Sequence, residues 1–137
     1  MKSSIDLKWL GNMTFETEVN GHKLIMDVPE KVGGNDKGPR PKPLMLVALA
    51  GCTAMDVVSI LKKMRVKLEK FNVRTEGEIA TEHPKSFKNM KIIYEFTGKN
   101  LPMKKLEKAI NLSKDKYCAV SASFKKAFEI THEIIIK

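Results

Sequence analysis

The chain has few of the residues that usually carry metal-based or nucleotide-based chemistry. Its 137 residues include two cysteines and three histidines. The histidines are scattered and no C-x-x-C pair occurs, so the sequence predicts no metal site. The glycine-containing stretch "VGGNDKG" lacks the GK[ST] ending of a phosphate-binding loop, and no Ser-His-Asp arrangement is indicated. We therefore expect neither a bound nucleotide nor serine hydrolase chemistry.

Arginine is also scarce, although the chain is strongly basic. Only Arg40, Arg65 and Arg74 are present, while the net charge is +9 and aromatic residues make up 7%. Nucleic-acid binders more often combine arginine clusters with exposed aromatic residues. The dispersed lysines favour a well-solvated surface, and we expect no nucleic-acid partner. Binding of a polyanion stays open as a minor alternative, which salt-sensitive retention on heparin would reveal.

The sequence shows no recognisable leader and no long uninterrupted apolar run. The N-terminal "MKSSIDLKWL" has no apolar core, so it does not resemble a signal peptide. The one extended apolar stretch starts at Leu44, and Asp56 and Ser59 interrupt it after about a dozen residues. A membrane span needs roughly 18 apolar residues. We expect a cytoplasmic protein with no membrane partner. In that reducing compartment Cys52 and Cys118 are not expected to form a structural disulfide.

The remaining composition is that of one globular domain spanning residues 1–137, with 42% hydrophobic and 30% charged residues. Alternating apolar residues predict three N-terminal strands, and Asn20-Gly21 is a strong signal for a hairpin turn. A proline-rich loop over residues 29–43 follows. Such a long loop is either functional or a plain crossover.

The second part of the chain alternates helices with strands. A long helix is expected from about Pro43 to Lys70, apolar on every side in its first half and therefore covered on every side. A second hairpin follows, and then a helix opened by Pro102 whose apolar stripe includes Tyr117, a short helix and a final strand. On that strand His132 is expected to be a core histidine. The order β-β-β-α-β-β-α-α-β predicts an α+β fold.

The two cysteines are the candidates for chemistry. Cys52 lies in the apolar run, where a free cysteine most often only packs. Asp56 is four residues on and shares its helical face, and a carboxylate alone disfavours a thiolate. Cys118 follows the lysine-rich "SKDKY" at the expected start of a short helix, where the helix N-terminus and nearby cations favour thiolate. An inert cysteine is an equally open reading of Cys118.

Two motifs carry a resemblance to a known family. "GPRPKPLMLVALAGCTAMDVVSIL" and "LSKDKYCAV", with their cysteines 66 positions apart, resemble the corresponding segments of the OsmC/Ohr family. The similarity extends over essentially the whole chain. It implies an OsmC-like fold, with antiparallel sheets wrapped around long central helices in an intertwined homodimer.

The resemblance also implies thiol-dependent reduction of organic hydroperoxides, part of oxidative-stress defence, and this reaction needs no cofactor. By position Cys52 matches the peroxidatic cysteine and Cys118 the resolving one. They would pass through a sulfenic acid and a disulfide that an external dithiol reopens. Arg40 and Asp56 are candidate supporting residues.

The chain departs from the family pattern at one informative position. Where active members carry a glutamate early in the helix, this chain has Pro43, in "PKPL". Proline supplies neither an acid nor a hydrogen-bond donor. A second hypothesis is therefore a weak or inactive family member that binds a small apolar or thiol-containing ligand at the dimer interface.

Overall fold

The computed structural model describes all residues, 1–137, and the chain forms two compact units, residues Met1–Met45 and Leu46–Lys137. The first unit holds an antiparallel sheet in the order β1-β2-β3, made of β1 (Lys8–Trp9), β2 (Phe15–Val19) and β3 (His22–Met26). The predicted meander is therefore confirmed. Its first strand is only two residues long, and Ile5 and Leu7 before it are exposed. The expectation of one domain over the whole chain stays a prediction.

Local turn chemistry and one buried carboxylate shape the first unit. Asn20 and Gly21 both have positive φ, at 51° and 81°, which matches the tight hairpin predicted between β2 and β3. Asp27 is 2% exposed, and its carboxylate accepts hydrogen bonds from Thr14 Oγ1 at 2.7 Å and from the Val28 amide at 2.7 Å. Further loop amides donate to the same carboxylate, so the 29–43 loop is tied to the end of β3.

The long helix is confirmed, but it ends earlier than predicted. Helix α1 spans Pro43–Lys63, and Lys70 already begins the next strand. Arg65 adopts a left-handed conformation with φ 59°, and the Val66 amide donates to the Leu61 carbonyl at 3.0 Å. This is the hydrogen-bond pattern of a Schellman motif, which usually uses glycine at the position that Arg65 occupies. Because the motif has no glycine here, the amphipathic pattern of "KKMRVKLEK" predicts a helix that continues beyond its actual end.

Helix α1 is buried on one face only. Leu49, Val57 and Leu61 are buried, whereas Val47 and Met55 are 62% and 75% exposed. By length and composition α1 could cross a membrane, since an 18-residue window has a mean hydropathy of 2.1. The core helix of a soluble protein passes the same test. The length argument therefore does not exclude a span, and the cytoplasmic location and the absence of a membrane partner stay predictions.

The second unit contains a mixed sheet in the order β4-β5-β6, made of β4 (Lys70–Ile79), β5 (Phe87–Thr97) and β6 (Glu129–Ile136). The predicted hairpin pairs β4 with β5, whereas β6 runs parallel to β5. The central strand supplies much of the core, because Met90, Tyr94 and Phe96 are each at most 1% exposed. The segment that connects β5 to β6 contains the remaining helices.

That connection contains three helical segments in series. They are α2 (Met103–Leu112), a π-helical turn (Ser113–Tyr117) and α3 (Ala119–Phe124). Leu106, Ala109 and Ile110 form the buried stripe of α2, as predicted. Tyr117 does not belong to it, since the π-helical turn changes the side-chain period and leaves Tyr117 54% exposed. The element order agrees with the prediction, and the fold is α+β.

Candidate functional site

Two cysteines and a carboxylate that are far apart in sequence meet in the second unit. The Sγ atoms of Cys52 and Cys118 and a carboxylate oxygen of Asp56 all lie within 4.8 Å of one another. Cys118 is 3% exposed, and the other two side chains are partly buried. We call these three residues the dithiol site. Both thiols are free, and a disulfide needs the sulfurs about 2.05 Å apart, so the bond can form after a small movement of the side chains.

Each cysteine is placed by a helix. Cys52 and Asp56 are one turn apart on α1, so their side chains lie on the same face of that helix. Cys118 is the N-cap residue of α3, and its Sγ accepts a hydrogen bond from the Ser121 amide at 3.3 Å. The π-helical turn delivers Cys118 to this position, and the Cys118 amide donates to the Ser113 carbonyl at 2.8 Å. Helix α3 does begin where the sequence indicated.

The environment of Cys118 differs from the expectation of a cysteine activated by cations. Burial raises the pKa of the Cys118 thiol, and the hydrogen bond from the Ser121 amide only partly opposes this. The neighbouring Cys52 thiol raises the pKa further. Cys118 is therefore a protonated thiol at neutral pH rather than a thiolate. The lysine-rich segment before Cys118 is exposed to solvent and does not lower the pKa of the thiol enough to offset burial.

A buried hydrogen-bond chain ties the dithiol site to the sheet. Asp56 Oδ2 accepts from Ser113 Oγ at 2.9 Å, and Ser113 Oγ lies 3.3 Å from Thr53 Oγ1. Thr53 Oγ1 in turn lies 2.6 Å from the hydroxyl of Tyr94 on β5. Because Thr53 follows Cys52 directly, this chain fixes the turn of α1 that carries the thiol. Burial raises the pKa of Tyr94 to about 12, despite its hydrogen bond with Thr53.

A small cavity of about 50 Å³ adjoins this hydrogen-bond chain. Thr53, Tyr94 and Ser121 line it together with isoleucines of the sheet and α2. Lys114 and Lys125 add cationic groups, and His132 adds an imidazole. Ser121 Oγ is buried and has no hydrogen-bond partner. The cavity has room for a few water-sized groups, and neither Cys52 nor Cys118 lines it.

His132 is not the core histidine that the strand pattern predicted. It is an exposed residue, although its ring packs edge-on against Tyr94 with the ring centres 6.2 Å apart. Partial burial and then the positive charge of Lys114 lower the pKa of His132. The apolar face of β6 is only partly covered, which an alternating pattern alone does not reveal.

The other predicted supporting residue lies in the first unit. Arg40 Nη1 pairs with the Asp36 carboxylate at 2.6 Å and also donates to the Gly38 carbonyl. The structure thus unites Cys52, Cys118 and Asp56, while a role for Arg40 stays a prediction. Sequence reasoning missed Thr53, Ser113 and Tyr94. The one hint in the sequence is Thr53 itself, a polar residue directly after Cys52 in an apolar run.

Comparison with known proteins identifies the family. The sequence model described as OsmC-like protein matches residues 34–133. Protein YhfA of Escherichia coli K12 is 37% identical over 129 residues, which are 92% of this chain and 92% of YhfA. The chain belongs to the OsmC-like family.

Solved structures of the OsmC-like fold agree with this assignment. A hypothetical protein from Aquifex aeolicus VF5 is 29% identical, with a TM-score of 0.82 over 100% of this chain and 99% of that one. An organic hydroperoxide resistance protein OsmC from Legionella pneumophila has a TM-score of 0.69 at 18% identity, and the match covers 97% of each chain. At that identity the second likeness shows the fold alone.

Proposed function

We propose that this protein reduces organic hydroperoxides, with Cys52 as the peroxidatic cysteine and Cys118 as the resolving cysteine. The observation that supports this most is the separation of at most 4.8 Å between two free sulfurs from distant parts of the chain. The OsmC/Ohr resemblance and the name of the Legionella relative agree with it.

The proposed reaction starts at Cys52, the more accessible thiol. Its thiolate attacks the terminal oxygen of R–O–OH, the O–O bond breaks, and the alkoxide takes up a proton to leave as alcohol. Cys52 is now a sulfenic acid. The Cys118 thiol attacks this sulfur, a disulfide forms, and the sulfenic oxygen leaves as water with the Cys118 proton. An external dithiol then returns two electrons and two protons.

The roles fit the environments of the two thiols. Cys118 is buried and its raised pKa keeps it protonated, so it meets no bulky peroxide but can supply the proton that leaves with water. Cys52 lies in the apolar part of α1, which favours an alkyl group over hydrogen peroxide.

We also propose that a second copy of the chain covers the exposed face of α1. Val47, Met55 and Val58 are 47% to 75% exposed in the middle of an apolar helix, and a side chain added at Gly51 would meet nothing within 4 Å. An apolar patch of this kind marks an interaction surface. Val58→Glu should yield monomers in equilibrium ultracentrifugation where the wild type is a dimer, while Val32→Glu, an exposed residue of the first unit, should not.

Peroxide consumption with dithiothreitol as reductant tests the enzymatic proposal. Wild-type protein should turn over tert-butyl hydroperoxide faster than hydrogen peroxide. Cys52→Ser should abolish turnover. Without dithiothreitol, Cys118→Ser should consume one equivalent of peroxide and stop at the sulfenic acid, whereas wild type should stop at the disulfide. If wild type and Cys52→Ser consume the organic peroxide at the same rate, the proposal fails.

The second candidate is an OsmC-like protein that binds a small apolar or thiol-containing ligand and turns over weakly or not at all. Pro43 at the family's glutamate position and the Asp56 carboxylate beside both sulfurs favour it. It predicts that iodoacetamide alkylates Cys52 at pH 7 no faster than it alkylates a cysteine in a short unstructured peptide. A much faster reaction than that of the peptide would contradict it.

A further inference from the structure

The dithiol site contains the donor set of a soft divalent metal ion. Cys52 and Cys118 offer two sulfurs and Asp56 offers an oxygen, and these three donor atoms lie within 4.8 Å of one another. Around a tetrahedral zinc, with bonds of about 2.3 Å to sulfur and about 2.0 Å to oxygen, ligand atoms lie roughly 3.5–3.8 Å apart. The donors therefore need to approach one another by only about 1 Å.

The surroundings of the donors match those of a thiolate metal site. The Ser121 amide donates to Cys118 Sγ, and such a donor stabilises a negative sulfur. Ser113 Oγ donates to Asp56 Oδ2 and so holds the carboxylate in place. Two helices and the π-helical turn fix all these groups, so little ordering is needed on binding.

We propose that the reduced dithiol site binds one Zn²⁺ per chain through Cys52 Sγ, Cys118 Sγ and an Asp56 oxygen, with water as fourth ligand. Binding releases the two thiol protons and changes no oxidation state. Because both sulfurs donate their electron pairs to the metal, they cannot form a disulfide until it leaves. The ion thus holds the pair in its reduced form.

This inference replaces the expectation, based on the scattered ligands, that the chain has no metal site. The sequence lacks the short spacing between cysteines that usually indicates a metal site. The two cysteines are 66 positions apart, and only the fold brings their sulfurs together. The inference rests on the reduced geometry and does not require that the protein reduce hydroperoxides.

Titration of the reduced, untagged protein with Co²⁺, followed by Zn²⁺, tests the proposal without any peroxide. Cobalt should produce thiolate charge-transfer absorption and the strong visible bands of a tetrahedral ion, saturating at one equivalent per chain, and zinc should bleach both. Because thiol protons must leave, apparent affinity should rise with pH. Spectra of an octahedral ion without charge transfer would overturn the proposal.

Matched variants assign the ligands. Cys52→Ser and Cys118→Ser should each remove half of the charge-transfer intensity or abolish binding, with folding checked by circular dichroism. Asp56→Asn should weaken zinc binding by about tenfold or more. Asp115→Asn, which removes an equal charge from an exposed position of the π-helical turn, should leave it unchanged. Equal affinity of Asp56→Asn and wild type would contradict the three-ligand site, whether or not the protein proves to be a peroxidase.

Discussion

Replacing Thr53 by valine tests the hydrogen-bond chain that positions Cys52. Valine keeps the shape of threonine but removes Oγ1, which lies 2.6 Å from the Tyr94 hydroxyl. Tyr94 is 1% exposed, so its hydroxyl would stay buried without this partner. Leaving a buried polar group unpaired costs about 1–3 kcal/mol, and we expect Thr53→Val to lower the free energy of unfolding by that amount.

A double-mutant cycle separates this cost from a packing effect. Tyr94→Phe removes the other half of the pair. In Thr53→Val/Tyr94→Phe neither hydroxyl remains, so the double variant should be more stable than the sum of the single changes by about 1 kcal/mol or more. The measurement is urea unfolding at one fixed protein concentration, because a dimer's stability depends on concentration. Ser113 Oγ loses its 3.3 Å contact with Thr53 Oγ1 in both variants that carry Thr53→Val, so this loss cancels in the cycle, and Ser113 keeps its bond to Asp56 throughout.

The outcome that would refute this reasoning is additivity. If the two single changes add within about 0.3 kcal/mol, the hydroxyls do not interact in solution. A cost below about 0.5 kcal/mol for Thr53→Val would likewise mean that water reaches the Tyr94 hydroxyl.

Three further predictions follow from the buried groups. With Tyr117 replaced by phenylalanine, ultraviolet titration should show Tyr94 ionising at about pH 12, and ionisation near pH 10 would contradict its burial. The contribution of the buried Tyr94 hydroxyl to stability is complete below pH 10 and should be lost between about pH 10 and 12. Burial raises the pKa of Asp27, but its hydrogen bonds, led by the one from Thr14, lower the pKa overall. The contribution of Asp27 to stability should therefore be lost as the pH falls below the pKa of 3.8 that it has in the unfolded chain. Asp27→Asn should remove this acid dependence from urea unfolding, and an unchanged pH profile would contradict the prediction. A disulfide across 66 positions should stabilise the oxidised protein by up to about 4 kcal/mol over the reduced protein in the same assay, and equal stability would indicate a strained bond.

Much of the architecture could be predicted from the sequence because it is encoded locally. Asn20-Gly21 determines a turn by its own backbone preferences, and β4 and β5 show alternation that leaves little choice of face. The apolar run after Pro43 predicts a helix by its composition alone. The conformation of each of these elements depends on residues close to it in the chain, so the local sequence is enough to predict it.

The remainder depends on contacts that the sequence does not display. Helix α1 ends because Arg65 takes the left-handed position of a Schellman motif, and arginine is not a residue that indicates such an end. The π-helical turn exposes Tyr117, although the regular helical period placed it on the buried stripe. His132 is exposed because the cover of β6 is incomplete.

The candidate site shows the same division. Cys52 and Cys118 were identified from motifs that resemble a family, and Asp56 from helical spacing. The residues that position them come from three distant elements: Thr53 meets Tyr94 across 41 positions and Ser113 across 60. A pairing of ordinary polar residues at such separations leaves no trace in a single sequence.

The most direct test of the central claim is the state of the two cysteines after one equivalent of organic hydroperoxide. Reduced protein is oxidised, remaining thiols are blocked by alkylation, and peptides are identified by mass spectrometry without reduction. The account predicts one intramolecular peptide pair joining Cys52 to Cys118 and no alkylated cysteine in the oxidised fraction. Both cysteines alkylated in full, or Cys52 oxidised to a sulfinic acid while Cys118 remains a free thiol, would contradict it.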